Sequence, residues 1–216
     1  MRCSTLMRWT VLCAALILIA APAALAQEHG HEHGHGHDHA AEGQAAPSAE
    51  EQAAMAAWQE SMTPGPQHEH LAKSVGKYNM TIKHWMEPGA EPMTSEGTAV
   101  RSMTLGGRVM VEEVEAMTMG QPFHGVGRTG YDKITEKYWS TWNDDMSTGL
   151  TVLYGTMNED GTGTFEGQTS DPMTGGTSTM RIKMRSEGGK EINDFYMVGP
   201  DGSETKMMEI TYTPAG

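Results

Sequence analysis

Met180-Arg181-Ile182-Lys183-Met184-Arg185 alternates apolar and basic residues with a period of two. Side chains two apart share one face of a β-strand, so this segment predicts a strand that is buried on one face and solvated on the other. A second such phase begins near the middle of the chain, with Tyr78, Met80, Ile82, His84 and Met86. Turn signals separate these runs, among them Leu105-Gly106-Gly107 and Asp171-Pro172. This spacing predicts an antiparallel meander of roughly eight to ten strands.

The predicted strands lie within residues 66–216, a length that suits one β-domain with a substantial core. Closing such a meander into a single antiparallel barrel removes exposed strand edges and can leave a cavity for a small ligand. One or two short helices precede the strands. Residues 48–65 form a helical lead-in, in which Ser48 as N-cap and Glu51 predict a capping box, and residues 66–75 predict a second helix ended by Gly76.

Residues 1–26 have the features of a secretory signal peptide. Arg2 and Arg8 precede an uncharged apolar run that is too short to span a bilayer, and Ala24-Leu25-Ala26 fits the cleavage pattern. We therefore expect an exported protein, periplasmic or secreted, with no stable membrane insertion after cleavage. Both cysteines, Cys3 and Cys13, lie in this segment, so the mature chain has no disulfide and no thiol nucleophile.

Charge excludes some partners. The full chain has a formal charge of −13, and removal of Arg2 and Arg8 makes it −15. An acidic exported protein is a poor candidate for binding nucleic acid or anionic membranes, and a better candidate for binding cations.

Residues 27–47 form a tail rich in His, Gly, Ala and acidic residues, which we expect to be disordered without a ligand. Neutral imidazole is the commonest metal ligand, so the tail predicts binding of divalent Ni, Cu or Zn. The free amine of Gln27 with His29 offers a square-planar Cu(II) or Ni(II) site, unless Gln27 cyclises. The predicted metal ligands are Gln27, His29, His31, His33, His35, His37 and His39.

An aromatic and acidic cluster is the predicted lining or rim of a cavity, if the barrel is hollow. It contains Tyr131, Trp139, Trp142 and Asp144. The alternative is ordinary cross-strand packing beside a solvated acidic turn. Two histidines are further candidates for the cavity lining or rim: His84, on the apolar face of a predicted strand, and His124, after a turn. Either could hold haem as a proximal ligand.

Two other patterns have simpler explanations. Gly125-Val126-Gly127-Arg128-Thr129-Gly130 matches the dinucleotide-binding spacing, but strands flank it on both sides, so the glycines favour close packing. Met117 and Met119 with His124, or Met207 with Met208, could bind Cu(I), although methionine more often fills irregular cores. The common hydrolase, metalloprotease and phosphate-loop motifs are absent from the sequence.

Several motifs after Pro64 resemble those of bacterial domain-of-unknown-function family 1579. They include Gly65-Pro66-Gln67-His68-Glu69-His70-Leu71, Gly130-Tyr131-Asp132, Tyr138-Trp139-Ser140-Thr141-Trp142 and Asp171-Pro172-Met173-Thr174-Gly175. The resemblance implies a lipocalin-like β-barrel and no established reaction or catalytic residues. Tyr78 stands where this family would be expected to have Trp, and the His-rich tail lies outside the resemblance.

These observations favour binding over catalysis. The tail would capture divalent metal, and the barrel would hold a small apolar ligand with no required cofactor. Two alternatives stay open: an enzyme of hydrolase or isomerase type whose catalytic groups lie in a cavity, and an envelope protein with a filled barrel and no ligand.

Overall fold

The computed structural model describes residues 46–216, so the predicted signal peptide and nearly all of the predicted metal-binding tail lie outside the described residues. Residues 46–216 contain two helices and ten strands. Their bounds are α1 Ala49–Met62, α2 Pro66–Ala72, β1 Gly76–His84, β2 Met93–Thr104, β3 Val109–Thr118, β4 Gln121–Asp132, β5 Lys137–Asp144, β6 Thr151–Met157, β7 Gly163–Asp171, β8 Gly176–Glu187, β9 Lys190–Val198 and β10 Glu204–Pro214.

The ten strands form one closed barrel in which every strand is antiparallel to its neighbours. β1 pairs with β10 to complete the circle, with Met80 opposite Tyr212 and Ile82 opposite Ile210. The predicted fold class, a single antiparallel β-barrel after short helices, is confirmed. Closure leaves no barrel strand with an unpaired edge among residues 46–216.

Alternation along the strands sorts side chains between the interior and the outer surface. Met180, Ile182 and Met184 of β8 face the interior, as their alternation predicts. Arg181 lies outside and forms ion pairs with Glu166 and Glu204. Met86 departs from the predicted pattern: β1 ends at His84, so Met86 lies in the following loop and is exposed.

Helix α2 covers one end of the barrel. Leu71 is fully buried and packs with Met110, Tyr138, Leu153 and Phe165. The helix is shorter than predicted: it ends at Ala72, the next residues form tight turns, and Val75, the last residue of the predicted helix, is exposed. Gly76 accordingly begins β1 instead of ending the helix.

His68 anchors α2 to the barrel and is only 6% exposed. Its Nδ1 accepts a hydrogen bond from the backbone N–H of Gly65 at 3.1 Å, and its ring meets that of Tyr131 edge-on. Burial lowers the pKa of His68, and the charges of Lys133 and Arg108 lower it further, against the opposing effect of a hydrogen bond that the imidazole donates to the Tyr131 backbone. The imidazole is therefore held in its neutral form under conditions where a free histidine would titrate.

Helix α1 has the predicted capping box, in which Ser48 Oγ accepts from the N–H of Glu51 and the Glu51 carboxylate accepts from the N–H of Ser48. No residue of α1 is buried against the rest of residues 46–216, and Trp58 is 63% exposed. Arg108 Nη2 donates to the carbonyl of Met62 at 2.6 Å, which is one of few ties to the barrel. Neither helix of the described chain is long and apolar enough to cross a membrane.

Candidate functional site: an internal cavity with a buried charged cluster

The barrel encloses a cavity of about 440 Å³. It extends from Leu71 and Ser74, beneath α2, to His84, Thr118 and Ser147 at the opposite end of the strands. Small-molecule sites commonly have volumes of roughly 300–1,000 Å³. The barrel is therefore hollow enough for a small ligand.

Most of the cavity wall is apolar. Aliphatic and aromatic side chains such as Ile82, Val114 and Phe195 contribute to it. Methionine is unusually frequent, and its flexible thioether adapts to irregular shapes. The methionines of the lining are Met80, Met110, Met157, Met180, Met184 and Met208.

Trp142 lies flat against β4 because glycines leave room for it. A Cβ added at Gly125 would lie 2.2 Å from Trp142 Cζ2, and one at Gly127 would lie 3.3 Å from Cε3. The indole also stacks on Phe123, with ring centroids 6.2 Å apart. These contacts give the glycines of the Gly125–Gly130 motif a packing role within a barrel strand, in place of a dinucleotide-binding turn.

A charged cluster lies inside the barrel, centred on Arg101. The Arg101 side chain is 4% exposed. Its Nη1 and Nη2 donate to the two carboxylate oxygens of Glu191 at 2.7 and 2.9 Å, and its Nε donates to Glu112. The guanidinium also lies over two tyrosine rings, 4.8 Å from the centroid of Tyr78 and 4.4 Å from that of Tyr212.

The carboxylates keep Arg101 charged despite its burial. Burial by itself lowers the pKa of Arg101, but the charge of Glu112 and the hydrogen bonds and charge of Glu191 outweigh it, so the net pKa is well above its ordinary value. Burial, together with the charge of Glu112, raises the pKa of Tyr212, which keeps the phenol protonated. Its hydroxyl can thus donate to Glu112 Oε1, 3.2 Å away. Arg101 and the two glutamates together have a formal charge of −1.

Asn193 adds an unmet hydrogen-bond acceptor to this cluster. The residue lines the cavity and is only 8% exposed. Its Nδ2 donates to Glu191 Oε1 at 3.0 Å, which fixes the amide orientation, because a flipped amide would set oxygen against the carboxylate. Its Oδ1 is buried and accepts no hydrogen bond from residues 46–216. An unmet buried acceptor costs roughly 1–3 kcal/mol.

Asp144 and His84 lie at the other end of the cavity. Asp144 Oδ2 accepts from Trp142 Nε1 at 2.9 Å, and its Oδ1 accepts from the N–H of Met146 at 3.0 Å. His84 faces inward at the end of β1, and burial lowers its pKa. Both side chains belong to the cavity lining.

Seven exposed apolar side chains lie at this same end of the barrel, opposite α2. They occupy the β1–β2, β3–β4, β5–β6 and β7–β8 loops or the strand ends beside them. The residues are Met86, Met93, Met117, Met119, Met146, Leu150 and Met173.

The structure separates the predicted cavity residues into three groups. His84, Trp142 and Asp144 line the cavity. Tyr131 lies inside the barrel but packs beneath α2, against His68 and Tyr138. Trp139 on β5 and His124 on β4 lie on the outer face of the barrel. Trp139 packs on Gly130, and His124 is exposed. These two side chains therefore do not line the cavity.

The charged cluster was missed by sequence reasoning, although it left a signal. Arg101 alternates with Ala99 and Met103 on β2, and Glu112 alternates with Met110 and Val114 on β3. A charge on the apolar phase of a strand is unusual and predicts an interior partner.

Residues 46–216 hold no group of three or more His, Cys, Asp or Glu side chains arranged for a metal ion. Met117, Met119 and His124, considered for Cu(I), are exposed on and beside the β3–β4 turn. The predicted ligands Gln27 to His39 lie outside the described residues.

Comparison with known proteins gives a family and no activity. A family model described as "Protein of unknown function (DUF1579)" matches residues 63–214. This match confirms the resemblance predicted from the sequence motifs, and it excludes the His-rich tail. No curated protein matches the chain.

Proposed function

This chain belongs to the DUF1579 family, and from that premise we propose that its barrel is a binding module that holds one small, largely apolar molecule in the internal cavity. The observation that carries the proposal is the cavity of about 440 Å³ with its mainly apolar, methionine-rich lining. Such a wall stabilises an apolar ligand by removing it from water.

Binding explains the interior better than catalysis does. A general acid or base needs a free ionisable group near the reacting atom. Glu112 and Glu191 are both engaged by Arg101, and both oxygens of Asp144 accept hydrogen bonds. His84 is then the one candidate acid or base left among the described residues of the lining. The exposed apolar side chains around the end opposite α2 favour capture of an apolar molecule there.

Replacing a residue of the cavity wall by the larger tryptophan tests this proposal, because the new side chain would fill the cavity. Leu153 is buried and faces inward, whereas its neighbour Tyr154 faces outward and is exposed. We expect Leu153→Trp to abolish binding of the neutral fluorescent probe N-phenylnaphthylamine, and Tyr154→Trp to leave its affinity within about twofold of wild type. Met180→Trp, from another part of the wall, is a second blocking variant should Leu153→Trp unfold. Equal probe binding by the folded blocking variants and wild type would refute a cavity site.

A second function belongs to the His-rich tail, supported by six histidines at every second position from His29 to His39. We propose that the exported, mature chain begins at Gln27 and binds several divalent Ni, Cu or Zn ions through these imidazoles and its amine. Because the ligands are neutral imidazoles, affinity falls as pH drops through about 6.5.

Calorimetric titration with each metal tests the tail, using the mature protein beside a shortened protein that begins at Ala40. We expect the full tail to bind more than one equivalent and the shortened protein to bind much more weakly. Equal binding by the two proteins would overturn the tail proposal. Mass spectrometry of protein exported by its host tests the N-terminus, and retention of residues 1–26 would contradict cleavage.

A further inference from the structure

The charges that face the cavity are unbalanced. Among the described residues of the lining, Arg101 is the only lysine or arginine, whereas three residues carry carboxylates. The formal charge of the lining is therefore −2 with His84 neutral, which its lowered pKa favours. The three carboxylates are Glu112, Asp144 and Glu191.

Arg101 is poorly placed to receive an anion. Three of its five N–H groups donate to Glu112 and Glu191, and the rings of Tyr78 and Tyr212 cover its guanidinium. An anionic ligand would approach a cluster that is already net negative. In a site shielded from water, such like charges repel strongly.

Acceptors, by contrast, are in excess. Each oxygen of Glu112 has one hydrogen-bond partner, although a carboxylate oxygen can accept two. Asn193 Oδ1 has no partner in residues 46–216, and Asn193 is more than nine-tenths buried in the cavity wall. Buried polar groups in native proteins are normally satisfied by protein, water or ligand. The site is thus short of donors and of positive charge.

Resting on the proposed binding function, we infer that the natural ligand is an amphipathic organic cation: an apolar body with a protonated amine that donates hydrogen bonds to Asn193 and the buried glutamates. The ammonium would satisfy the orphaned Asn193 Oδ1 and offset the charge of Glu112. The apolar body would lie along the methionine-rich wall. Neutral alcohols would bind more weakly, and carboxylates most weakly.

Three probes with one shared alkyl chain test this order: decylamine, decanol and decanoate, titrated into the wild-type protein by calorimetry. We expect decylamine to bind at least about tenfold tighter than decanoate, with decanol between them. Decanoate binding as tightly as decylamine overturns the inference while the proposed function stands. If none of the three binds and N-phenylnaphthylamine also fails to bind, the proposed function itself falls.

Two variants separate charge from hydrogen bonding. Glu112→Gln removes the charge and keeps the side-chain shape, so it should lower the affinity for decylamine by about tenfold and leave the affinity for decanol nearly unchanged. Asn193→Leu should lower the affinity for both hydrogen-bond donors, decylamine and decanol, and leave the affinity for decanoate unchanged. Far-ultraviolet circular dichroism and thermal melts verify folding. Should Glu112→Gln not fold, Glu191→Gln removes the other carboxylate of the same cluster, and an unchanged preference for decylamine in the folded variant counts against the inference.

Discussion

Replacing Arg101 by methionine removes the only lysine or arginine that lines the cavity within residues 46–216, while roughly keeping the side-chain volume. The side chain is 4% exposed, and its partners Glu112 and Glu191 are 13% and 20% exposed. The substitution leaves two carboxylates shielded from water without a counter-charge, and breaking a buried pair in this way costs about 3–5 kcal/mol. We expect the free energy of unfolding at pH 7.5 to fall by that amount, measured by urea denaturation monitored by tryptophan fluorescence.

The pH dependence identifies the cause. In Arg101→Met the two glutamates lose their counter-charge, and burial without a counter-charge disfavours the charged form of a carboxyl. A carboxyl whose folded pKa exceeds the unfolded value of about 4.3 stabilises the protein below that pH, and this stabilisation is lost as pH rises through the folded pKa. The difference between wild type and variant should therefore be small near pH 4.5 and grow toward pH 7.5.

A matched control separates burial from ion pairing as such. Arg181 also pairs with two glutamates, Glu166 and Glu204, but on the outer surface. We expect Arg181→Met to change the free energy of unfolding far less than Arg101→Met does, because solvent screens its ion pairs. The triple variant Arg101→Met/Glu112→Gln/Glu191→Gln, which removes all three charges, should recover most of the lost stability. A cost below about 1 kcal/mol for Arg101→Met, or one that does not vary with pH, would refute this account.

Three further predictions concern packing, titration and the helical lead-in. Gly125→Ala forces its Cβ against Trp142 and should lower the free energy of unfolding by about 1–3 kcal/mol, with a shift in tryptophan emission. The control Gly176→Ala, whose Cβ would meet nothing closer than 3.8 Å, should have little effect. Equal melting temperatures for the two variants would contradict the clash. Because burial lowers the pKa of His68, the contribution of this residue to the free energy of unfolding is complete above about pH 6.5 and is lost as pH falls through the folded pKa. Wild type should therefore lose more stability than His68→Gln between pH 7 and 5. Equal losses of the two proteins, measured by urea denaturation, would contradict this. A protein beginning at Thr63 lacks α1, none of whose residues is buried within the described chain. Its free energy of unfolding, measured by urea denaturation, should lie within about 1 kcal/mol of that of the full chain. A larger loss would show that α1 supports the barrel.

Much of the barrel could be predicted from the period of two. Met180 to Arg185 alternates with no interruption, and the structure places its methionines inside and its basic residues outside. Helix boundaries were harder, because Val75 and Gly76 fit a helical ending as well as the start of a strand. The pairing of Gly76 with Arg101 of β2 decides between them, and that contact is not local in sequence.

The cavity depended on features that local patterns do not contain. Trp139 and Trp142 are three residues apart, so the period of two alone puts them on opposite faces of β5. Which face is the interior follows from pairing with β4, where Gly125 and Gly127 leave space for Trp142. The cluster of Arg101 with Glu191 joins residues 90 apart in the chain, and only barrel closure brings them together.

Methionine methyl NMR tests most directly whether a ligand occupies the barrel. With ¹³C-methyl methionine and decylamine added, we predict chemical-shift changes for the interior methionines Met80, Met110, Met157, Met180, Met184 and Met208. The signals of Met55 and Met62, exposed on α1, should stay in place. Shifts confined to exposed methionines, with the interior signals unmoved at saturating decylamine, would contradict a ligand-binding barrel.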